Sequence, residues 1–337
     1  MLIVNNINNI DVNAWRQFVS AHPDGNIFQT PDMYYVYENT KNYKPVFVSV
    51  IVDGTIKGVL LAVIQKENYG PLSAVTARAI VFGGPLIDNN DPIVLDSILS
   101  EFTRIVKTKA VYSQFRNFKK NNEVSKTIFR KYGYVFQDHL NIIVDLNIPV
   151  DILWKNVKRN RKDGINKGKK QGFVFNVYDK IPDIDSLYSL LQDELFKRIK
   201  LPYPDVSFFM NLNNLLNNNL KCFTLDYNNK PHIILCAFFY NKTMYAYIIG
   251  ISQNQDFLRL RPVDLFYWEV IKWAAQNGFE HYDWMGAGKP DKDYGVRDFK
   301  IQYGGNMDNI GRYERINRPL FYKFGILGLK LKKLLSF

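Results

Sequence analysis

Glycines, aromatic residues and paired charges are concentrated in one segment, HYDWMGAGKPDKDYGVRDFKIQYGG, at residues 281–305. The segment begins with a predicted strand that ends near Asp283, and its five glycines are typical of a binding loop rather than of a core. The stretch Gly286-Ala287-Gly288 could cradle a phosphate, although most Gly-x-Gly pairs are plain turns. The composition as a whole predicts a functional loop without identifying its ligand.

A second segment, LWKNVKRNRKDGINKGKKQGF at residues 153–173, is strongly basic. Trp154, Arg161 and Ile165 recur at helical spacing, which predicts a single helix over 151–171 with one anchored face. Cations crowded on the other faces repel one another, and an anionic ligand would relieve that repulsion. Arginine side chains bind phosphate or carboxylate groups through two parallel hydrogen bonds. The alternative is a solvated basic helix without a ligand.

The overall composition is that of a globular protein with an excess of positive charge. Of 337 residues, 47% are hydrophobic and 23% are charged, which suffices for about two domains with sizeable cores. The net charge of +12 favours anionic partners such as RNA, nucleotide-linked substrates or anionic lipid. The two cysteines and four histidines lack the spacing of metal ligands, so no metal site is expected.

The sequence also excludes several classes of protein. It has no uninterrupted apolar window long enough to span a membrane, and its first residues lack the basic and apolar regions of a secretory signal. We therefore expect a cytoplasmic protein. The GxSxG and GxxxxGK[ST] motifs of serine hydrolases and nucleotide hydrolases do not occur in it.

Predicted helices and strands follow a similar order in the two halves of the chain. In the first half, Asp53-Gly54 is typical of a hairpin between strands at 45–52 and 56–65. In the second half, tight turns at Asn228-Asn229 and Asn241-Lys242 join three strands. This order predicts a duplicated α/β (α+β) unit with mixed central sheets.

The boundary between the units is predicted after residue 148, where Pro149 breaks the pattern. It separates an N-terminal domain at 1–148, in which paired strands are expected over 133–146, from a C-terminal domain at 149–318. The remaining tail, 319–337, combines leucines and aromatic residues with lysines. It predicts an amphipathic helix that rests on an anionic membrane surface or packs on its own domain.

Two motifs, in this order along the chain, resemble those of the Fem family, whose members consist of two GNAT-like halves and add amino acids to peptidoglycan precursors. The first motif, Trp154 to Gly172, is similar to a family pattern of Trp, basic cluster, Ile and Gly. The second is similar to an aromatic–acid strand followed by Phe-Lys and a glycine pair. Its residues are Tyr282-Asp283, Asp298-Phe299-Lys300 and Gly304-Gly305. Phe28-Gln29-Thr30-Pro31 and Gly84-Pro85 also fit, so the resemblance covers nearly the whole chain.

The resemblance implies a fold, an activity and roles for particular residues. The fold is a pair of tandem GNAT-like (acyl-CoA N-acyltransferase-like) domains. The activity is transfer of an acyl or aminoacyl group, without a metal, onto an amine of a cell-envelope precursor such as peptidoglycan or polysaccharide. Lys300 takes the position of a lysine that stabilises the tetrahedral oxyanion, because negative charge develops on the carbonyl oxygen as the amine attacks. Asp283 would orient Lys300 or the incoming amine.

The residues expected to bind substrate lie in three places. Arg159, Arg161 and Lys162 fall at the family's basic position, where an anionic substrate group would bind. Tyr245 and Tyr247 alternate on one predicted strand, so both face the same side, where they either bind substrate or belong to the core. We also assign Arg297 and Tyr303, which flank Lys300, to substrate binding.

The donor stays open between acyl-CoA and aminoacyl-tRNA, and no permanently bound cofactor is expected. Tyr37 stands where some family members carry an acceptor-binding lysine, and SQNQDFLRLRPVD stands where a Gly-rich acyl-CoA signature is expected. The expected partners are an anionic or lipid-linked envelope precursor, tRNA, and the inner face of an anionic membrane, but not DNA. The alternative function is a non-catalytic RNA-binding or membrane-associated scaffold protein with the same fold.

Overall fold

The chain forms two compact units in a computed structural model that describes residues 1–67, 76–193, 203–216 and 218–325. The first unit contains Met1–Asp138 and Ile310–Phe337, and the second contains His139–Asn309. A single cut at residue 148 does not reproduce these units, since 139–148 belongs to the second unit and 310–318 to the first. Each unit has its own mixed sheet and its own buried cluster, as the predicted fold class requires.

An eight-stranded sheet forms the centre of the first unit. Its strands are β1 (Leu2–Val4), β2 (Tyr43–Val52), β3 (Thr55–Gln65), β4 (Arg78–Phe82), β5 (Leu86–Ile87), β6 (Tyr112–Arg116), β7 (Val135–Gln137) and β15 (Arg312–Ile316). Its helices are α1 (Val12–Ala21), α2 (Pro31–Asn39), α3 (Pro92–Lys109) and α4 (Glu123–Lys131). The strand order is β1-β2-β3-β4-β6-β15-β7, with β5 paired to β3.

Local sequence signals determine a turn and two helix starts in the first unit. The β2–β3 hairpin turns at Asp53 and Gly54, whose φ angles of 48° and 74° are those of the tight hairpin turn that this dipeptide favours. The Asp11 side chain caps α1, and Pro31 occupies the first turn of α2. The apolar face of α3 then covers the sheet and supplies much of the buried cluster, including Ile98, Leu99, Phe102 and Val106.

Gln29, in the Phe28-Gln29-Thr30-Pro31 motif, joins three parts of the first unit. Its fully buried side-chain amide donates hydrogen bonds to the carbonyl oxygens of Leu61 and Phe82, and its Oε1 accepts one from the Leu61 N–H. The Gln29 carbonyl oxygen accepts a hydrogen bond from Trp15 Nε1 at 2.8 Å. Because a buried amide is costly without partners, this arrangement gives the motif a structural role.

A seven-stranded sheet forms the centre of the second unit, in the order β14-β8-β13-β12-β11-β10-β9. Its strands are β8 (Leu140–Asp145), β9 (Val174–Tyr178), β10 (Leu220–Tyr227), β11 (Lys230–Tyr240), β12 (Thr243–Ile251), β13 (His281–Asp283) and β14 (Asn306–Asn309). Its helices are α5 (Val150–Asn156), α6 (Arg159–Gly168), α7 (Ile184–Leu191), α8 (Val206–Leu215), α9 (Gln255–Arg259), α10 (Pro262–Gln276) and α11 (Gly295–Lys300).

Two local predictions in this region are wrong. The helix expected over 151–171 is two helices, because Val157 and Lys158 are extended and the Lys158 N–H donates to the Gln302 carbonyl oxygen at 2.8 Å. The strands expected to pair over 133–146 belong to different sheets: β7 pairs with β15, and β8 pairs with β13 and β14. Hydrogen bonds to segments far along the chain decide both outcomes.

Two glycines let α6 approach α10 closely. A Cβ built on Gly164 would lie 2.8 Å from Asp264 Cγ and 2.9 Å from Arg261 Nε, and one on Gly168 would lie 3.0 Å from Leu265 Cβ. All three neighbours are at the start of α10 or just before it. Both glycines are buried, so the helix has no room there for a side chain.

We expect Gly164→Ala to destabilise the protein by about 1–3 kcal/mol, the usual cost of overpacking, although alanine favours a helix more than glycine does. The free energy of unfolding in denaturant measures the effect. Gly295→Ala is the matched control, since a Cβ at Gly295, in α11, meets no atom within 4 Å. Equal stability of the two variants would contradict the close approach of the helices.

Candidate active site

Asp283 lies at the end of β13, buried to 2% exposure. Its Oδ1 accepts hydrogen bonds from the Met285 N–H at 2.7 Å and from Asn141 Nδ2 at 3.0 Å. Burial raises the pKa of Asp283, while these two donors and the charge of Lys300 oppose the rise. The carboxylate therefore stabilises the turn that follows the strand.

Asn141, on β8, connects both sides of that turn. Its Nδ2 donates to Asp283, and its Oδ1 accepts a hydrogen bond from the Gly286 N–H at 2.8 Å. Met285 between them has a φ of 57°, in the left-handed region that few non-glycine residues occupy. Asn141 could not be recognised from the sequence, because an asparagine within an apolar strand signals no partner more than 140 positions away.

Lys300, the last residue of α11, directs its side chain at the same turn. Nζ donates to the carbonyl oxygens of Gly286 at 2.7 Å and Trp284 at 2.9 Å, and lies 5.7 Å from the centre of the Trp284 ring. An ammonium group has three N–H donors. Among the residues that the structure describes, these two carbonyls are the acceptors for Nζ, which leaves one N–H to bind a further oxygen.

Burial governs the charge of this lysine. It lowers the pKa of Lys300 to about 8, and the negative charge of Asp283 opposes the change. Lys300 is therefore mostly protonated at neutral pH, and it loses its proton far more readily than an exposed lysine, whose pKa is about 10.4. A partly buried cation fixed by backbone carbonyls can stabilise a developing negative charge without reorganisation.

Arg161 is engaged by groups of the protein itself. Its Nη1 lies 2.6 Å from Asp264 Oδ1, its Nε donates to Gln302 Oε1 at 2.9 Å, and its guanidinium lies 5.0 Å from the centre of the Phe299 ring. Tyr303 is buried beside this group, and its hydroxyl donates to the Asp264 carbonyl oxygen at 3.2 Å. Burial raises the pKa of Tyr303 well above its usual value, so the phenol stays neutral.

The other two basic candidates lie on the surface near the start of α6. Arg159 is exposed, and within the described part of the chain no acidic side chain pairs with it. Lys162 is half-buried: its Nζ donates to the Lys155 carbonyl oxygen at 3.1 Å and lies 5.6 Å from the centre of the Trp154 ring. Of the three predicted anion-binding residues, Arg159 and Lys162 thus lie apart from the internal network around Arg161.

Tyr245 and Tyr247 lie on β12 beside the end of β13. Tyr245 is buried, opposite Phe238 of β11 and level with Asp283 in the parallel pairing of β12 and β13. The register between β11 and β12 shifts at Tyr247, whose ring lies 4.6 Å from that of Phe238. Only Thr243 to Tyr245 of β12 pairs with β13, so the two strands separate next to Asp283.

Arg297 holds the loop before α11. Its Nη1 donates to the Lys289 carbonyl oxygen at 2.8 Å, and its Nη2 donates to the Lys292 carbonyl oxygen at 2.9 Å. The geometry brings Asp283 and Lys300 to one turn, and it brings Arg161 and Tyr303 to a neighbouring network. Arg297 contacts neither group directly through these bonds; it holds the loop that lies between Asp283 and Lys300 in the sequence.

The described residues lack two further kinds of feature. No helix in them is long and apolar enough to cross a bilayer. Nor do they contain a cluster of three or more His, Cys, Asp or Glu side chains suited to a metal ion.

Part of the second unit is similar to a known protein family. Residues 155–299 match the family model of the acetyltransferase (GNAT) domain. That range includes Arg159, Asp264 and Asp283 and ends one residue before Lys300. No curated protein matches the chain.

Solved structures match almost the whole chain at low sequence identity. The chain is similar to FemX, with a TM-score of 0.69 and 15% identity over 96% of this chain and 99% of FemX. A tandem GNAT protein from the clavulanic acid biosynthesis pathway matches with a TM-score of 0.59 and 9% identity over 94% and 98%. L-PGS from Bacillus licheniformis matches with a TM-score of 0.56 and 13% identity over 91% and 92%. The predicted tandem GNAT-like fold is confirmed, since the chain has the fold of tandem GNAT proteins such as FemX. The predicted acyltransferase class agrees with the match of residues 155–299 to the acetyltransferase (GNAT) domain model.

Proposed function

We propose that the protein transfers an acyl or aminoacyl group onto an amine of a cell-envelope precursor, with Lys300 as the oxyanion-stabilising group. The observation that carries the proposal is the position of Lys300 Nζ, which two backbone carbonyls hold while one N–H stays available. GNAT-type domains transfer acyl groups, and the matching of residues 155–299 to that family supports the reaction class.

The proposed reaction needs little chemistry from the protein. The amine nitrogen attacks the carbonyl carbon of the donor, and the electron pair of the carbonyl bond moves to its oxygen. Lys300 Nζ donates a hydrogen bond to that oxyanion. As the carbonyl re-forms, the bond from its carbon to the donor's oxygen or sulfur breaks, and the leaving group takes up the proton that the amine nitrogen loses. Asp283 positions Lys300 indirectly, because it fixes the turn whose Trp284 and Gly286 carbonyls bind the ammonium.

An anionic substrate group is proposed to bind near the start of α6. Arg159 and Lys162 supply positive charge there, with Lys155 and Lys158 beside them, whereas Arg161 is committed to Asp264. Phosphate is the group that such a surface binds most readily. The envelope precursor and the donor, acyl-CoA or aminoacyl-tRNA, both contain phosphate. The proposal keeps both donors, because the Fem-like resemblance implies either an aminoacyl-tRNA or an acyl thioester.

A transfer assay with two labelled donors tests this function. Purified protein is incubated with an aminoacyl-tRNA or an acyl-CoA and with a nucleotide-linked or lipid-linked muropeptide. Formation of a labelled amide that requires both partners supports the proposal. Salt-sensitive binding of RNA without any transfer would instead favour the alternative of a non-catalytic RNA-binding protein.

Loss of activity at alkaline pH is the expected signature of Lys300. Its pKa is about 8, so the cation is fully present well below that pH and is lost as the pH rises through it. We expect kcat/KM to fall above pH 8 in the natural protein. In Lys300→Arg the fall should be absent, because a guanidinium stays charged to above pH 12. If kcat/KM of Lys300→Arg falls above pH 8 in the same way, the fall is due to the titration of another group.

Contact with an anionic membrane is proposed for the tail. Residues 319–325 are helical, and Leu320 and Phe324 are 70% and 66% exposed. The rest of the predicted amphipathic helix, 326–337, lies outside the described residues. An apolar helix face beside lysines binds anionic bilayers. Co-sedimentation with anionic vesicles is compared between the full chain and a chain ending at Arg318. Salt-sensitive binding that is lost on truncation would support the membrane contact, on which the membrane-associated scaffold alternative also depends.

A further inference from the structure

A buried carboxylate, Asp264 in α10, connects two helices to the segment that carries Lys300. Its side chain is 4% exposed and lies between Arg161 Nη1 and Arg261 Nε, each at 2.6 Å. Burial raises the pKa of Asp264, and the two guanidinium groups oppose the rise. Two cations at hydrogen-bonding distance compensate the negative charge of the carboxylate.

Three residues close to Lys300 in sequence are held by Asp264 or by its partner Arg161. Arg161 contacts the Phe299 ring with its guanidinium face and donates from Nε to Gln302 Oε1. The Tyr303 hydroxyl donates to the Asp264 carbonyl oxygen. A planar guanidinium can bind a carboxylate and an amide with different nitrogens and still stack on a ring, which a lysine cannot do.

The segment needs such an external support. Helix α11 has six residues, followed by a single 3-10 turn at Ile301–Tyr303. Gly304 and Gly305 come next, with φ angles of 89° and 99° that only glycine adopts easily. A short helix before two glycines does not fix a side chain by itself, so the contacts from α6 and α10 support the segment that carries Lys300.

We propose that Asp264 is a positioning residue: by holding Arg161 against Gln302 and Phe299, it keeps the Lys300 ammonium on the carbonyls of Trp284 and Gly286. The effect on catalysis rests on the function proposed above for Lys300. The effect on the position of Lys300 does not.

Two variants test the two parts of this support. Asp264→Asn removes the charge that Arg161 and Arg261 share. Gln302→Met removes the acceptor of Arg161 Nε and leaves both ion pairs of Asp264 intact. It therefore tests the support of the Lys300 segment even if Asp264→Asn does not fold. Asp183→Asn is the control, since Asp183 caps α7 in the same unit through Ser186 and has no contact with 299–303.

The readout is the pKa of Lys300, from an NMR pH titration of lysine ε-methylene groups assigned by loss of the signal in Lys300→Arg. We expect it to move from about 8 toward the 10.5 of an unperturbed lysine in Asp264→Asn and Gln302→Met, because the ammonium becomes more solvated. Turnover should fall on the order of ten- to a hundredfold, as misplaced catalytic groups cause. The Asp183→Asn protein should change neither quantity.

The outcomes separate the two proposals. A pKa that stays near 8 in folded Asp264→Asn and Gln302→Met would overturn the positioning role. If the pKa moves in both variants and turnover does not, Asp264 positions Lys300, and the oxyanion role of Lys300 is wrong.

Discussion

Replacing Lys300 with alanine is expected to lower the rate of acyl transfer about 10²-fold or more, the usual loss when one oxyanion donor is removed. The reason is geometric. Nζ is fixed by the carbonyls of Trp284 and Gly286, and its remaining N–H is the one that would bind the oxyanion. Single-turnover kinetics with the labelled donor measures the chemical step.

The structure changes what the control must be. Lys300 ends a short helix and satisfies two carbonyls, so its loss costs stability, about 1–3 kcal/mol for buried acceptors left unpaired. The unfolding midpoint must therefore be measured beside the rate. Lys292→Ala, an exposed lysine in the preceding loop, is the matched variant and should keep both. Full turnover in folded Lys300→Ala would remove Lys300 from the mechanism.

Reversing the charge of Arg161 is expected to destabilise the protein by about 3–5 kcal/mol, as the loss of one partner from a buried ion pair does. Arg161→Glu would place a second carboxylate against Asp264, which is 3% exposed. The sequence alone suggested the same role for Arg159 and Arg161, binding of an anionic substrate group. Their surroundings differ, and so should their variants.

Arg159→Glu is the comparison within the same helix. Arg159 is exposed at the start of α6, so its reversal should leave the unfolding midpoint unchanged and weaken binding of an anionic substrate at least tenfold, since charged hydrogen bonds contribute about 1.5–3 kcal/mol each. Urea unfolding and calorimetric titration measure the two quantities. Equal unfolding midpoints for both reversals would show that Arg161 is not held as described.

Local signals in the sequence were sufficient to predict most elements. The turn residues Asn228 and Asn229 have the positive φ angles that such hairpins require. The motif around Lys300 predicted the fold and the acyltransferase class through a resemblance. Periodicity failed where long-range hydrogen bonds decide the backbone, as at Val157 and Lys158.

The partners of the site residues could not be predicted, for a physical reason. Asn141, Asp264 and Gln302 are polar residues within or beside apolar segments, and their importance comes from groups that the fold brings next to them. The sequence of a basic helix likewise shows which residues are charged, but not which of them pairs with an acidic side chain. The pairing of Arg161 with Asp264, 103 positions away, became visible only in three dimensions.

The strand β15 has a consequence for how the chain is made. It lies between β6 and β7 in the first unit and supplies the pairing partner of β7, although it follows them by more than 170 residues. When the ribosome has synthesised residues 1–138, the sheet of the first unit therefore still lacks an inner strand. The second unit has all its strands by Asn309 and can complete its sheet first. The first unit, whose synthesis begins earlier, is then completed after the second. A fragment that ends at residue 148 would lack β15 and would have an open sheet edge that favours aggregation.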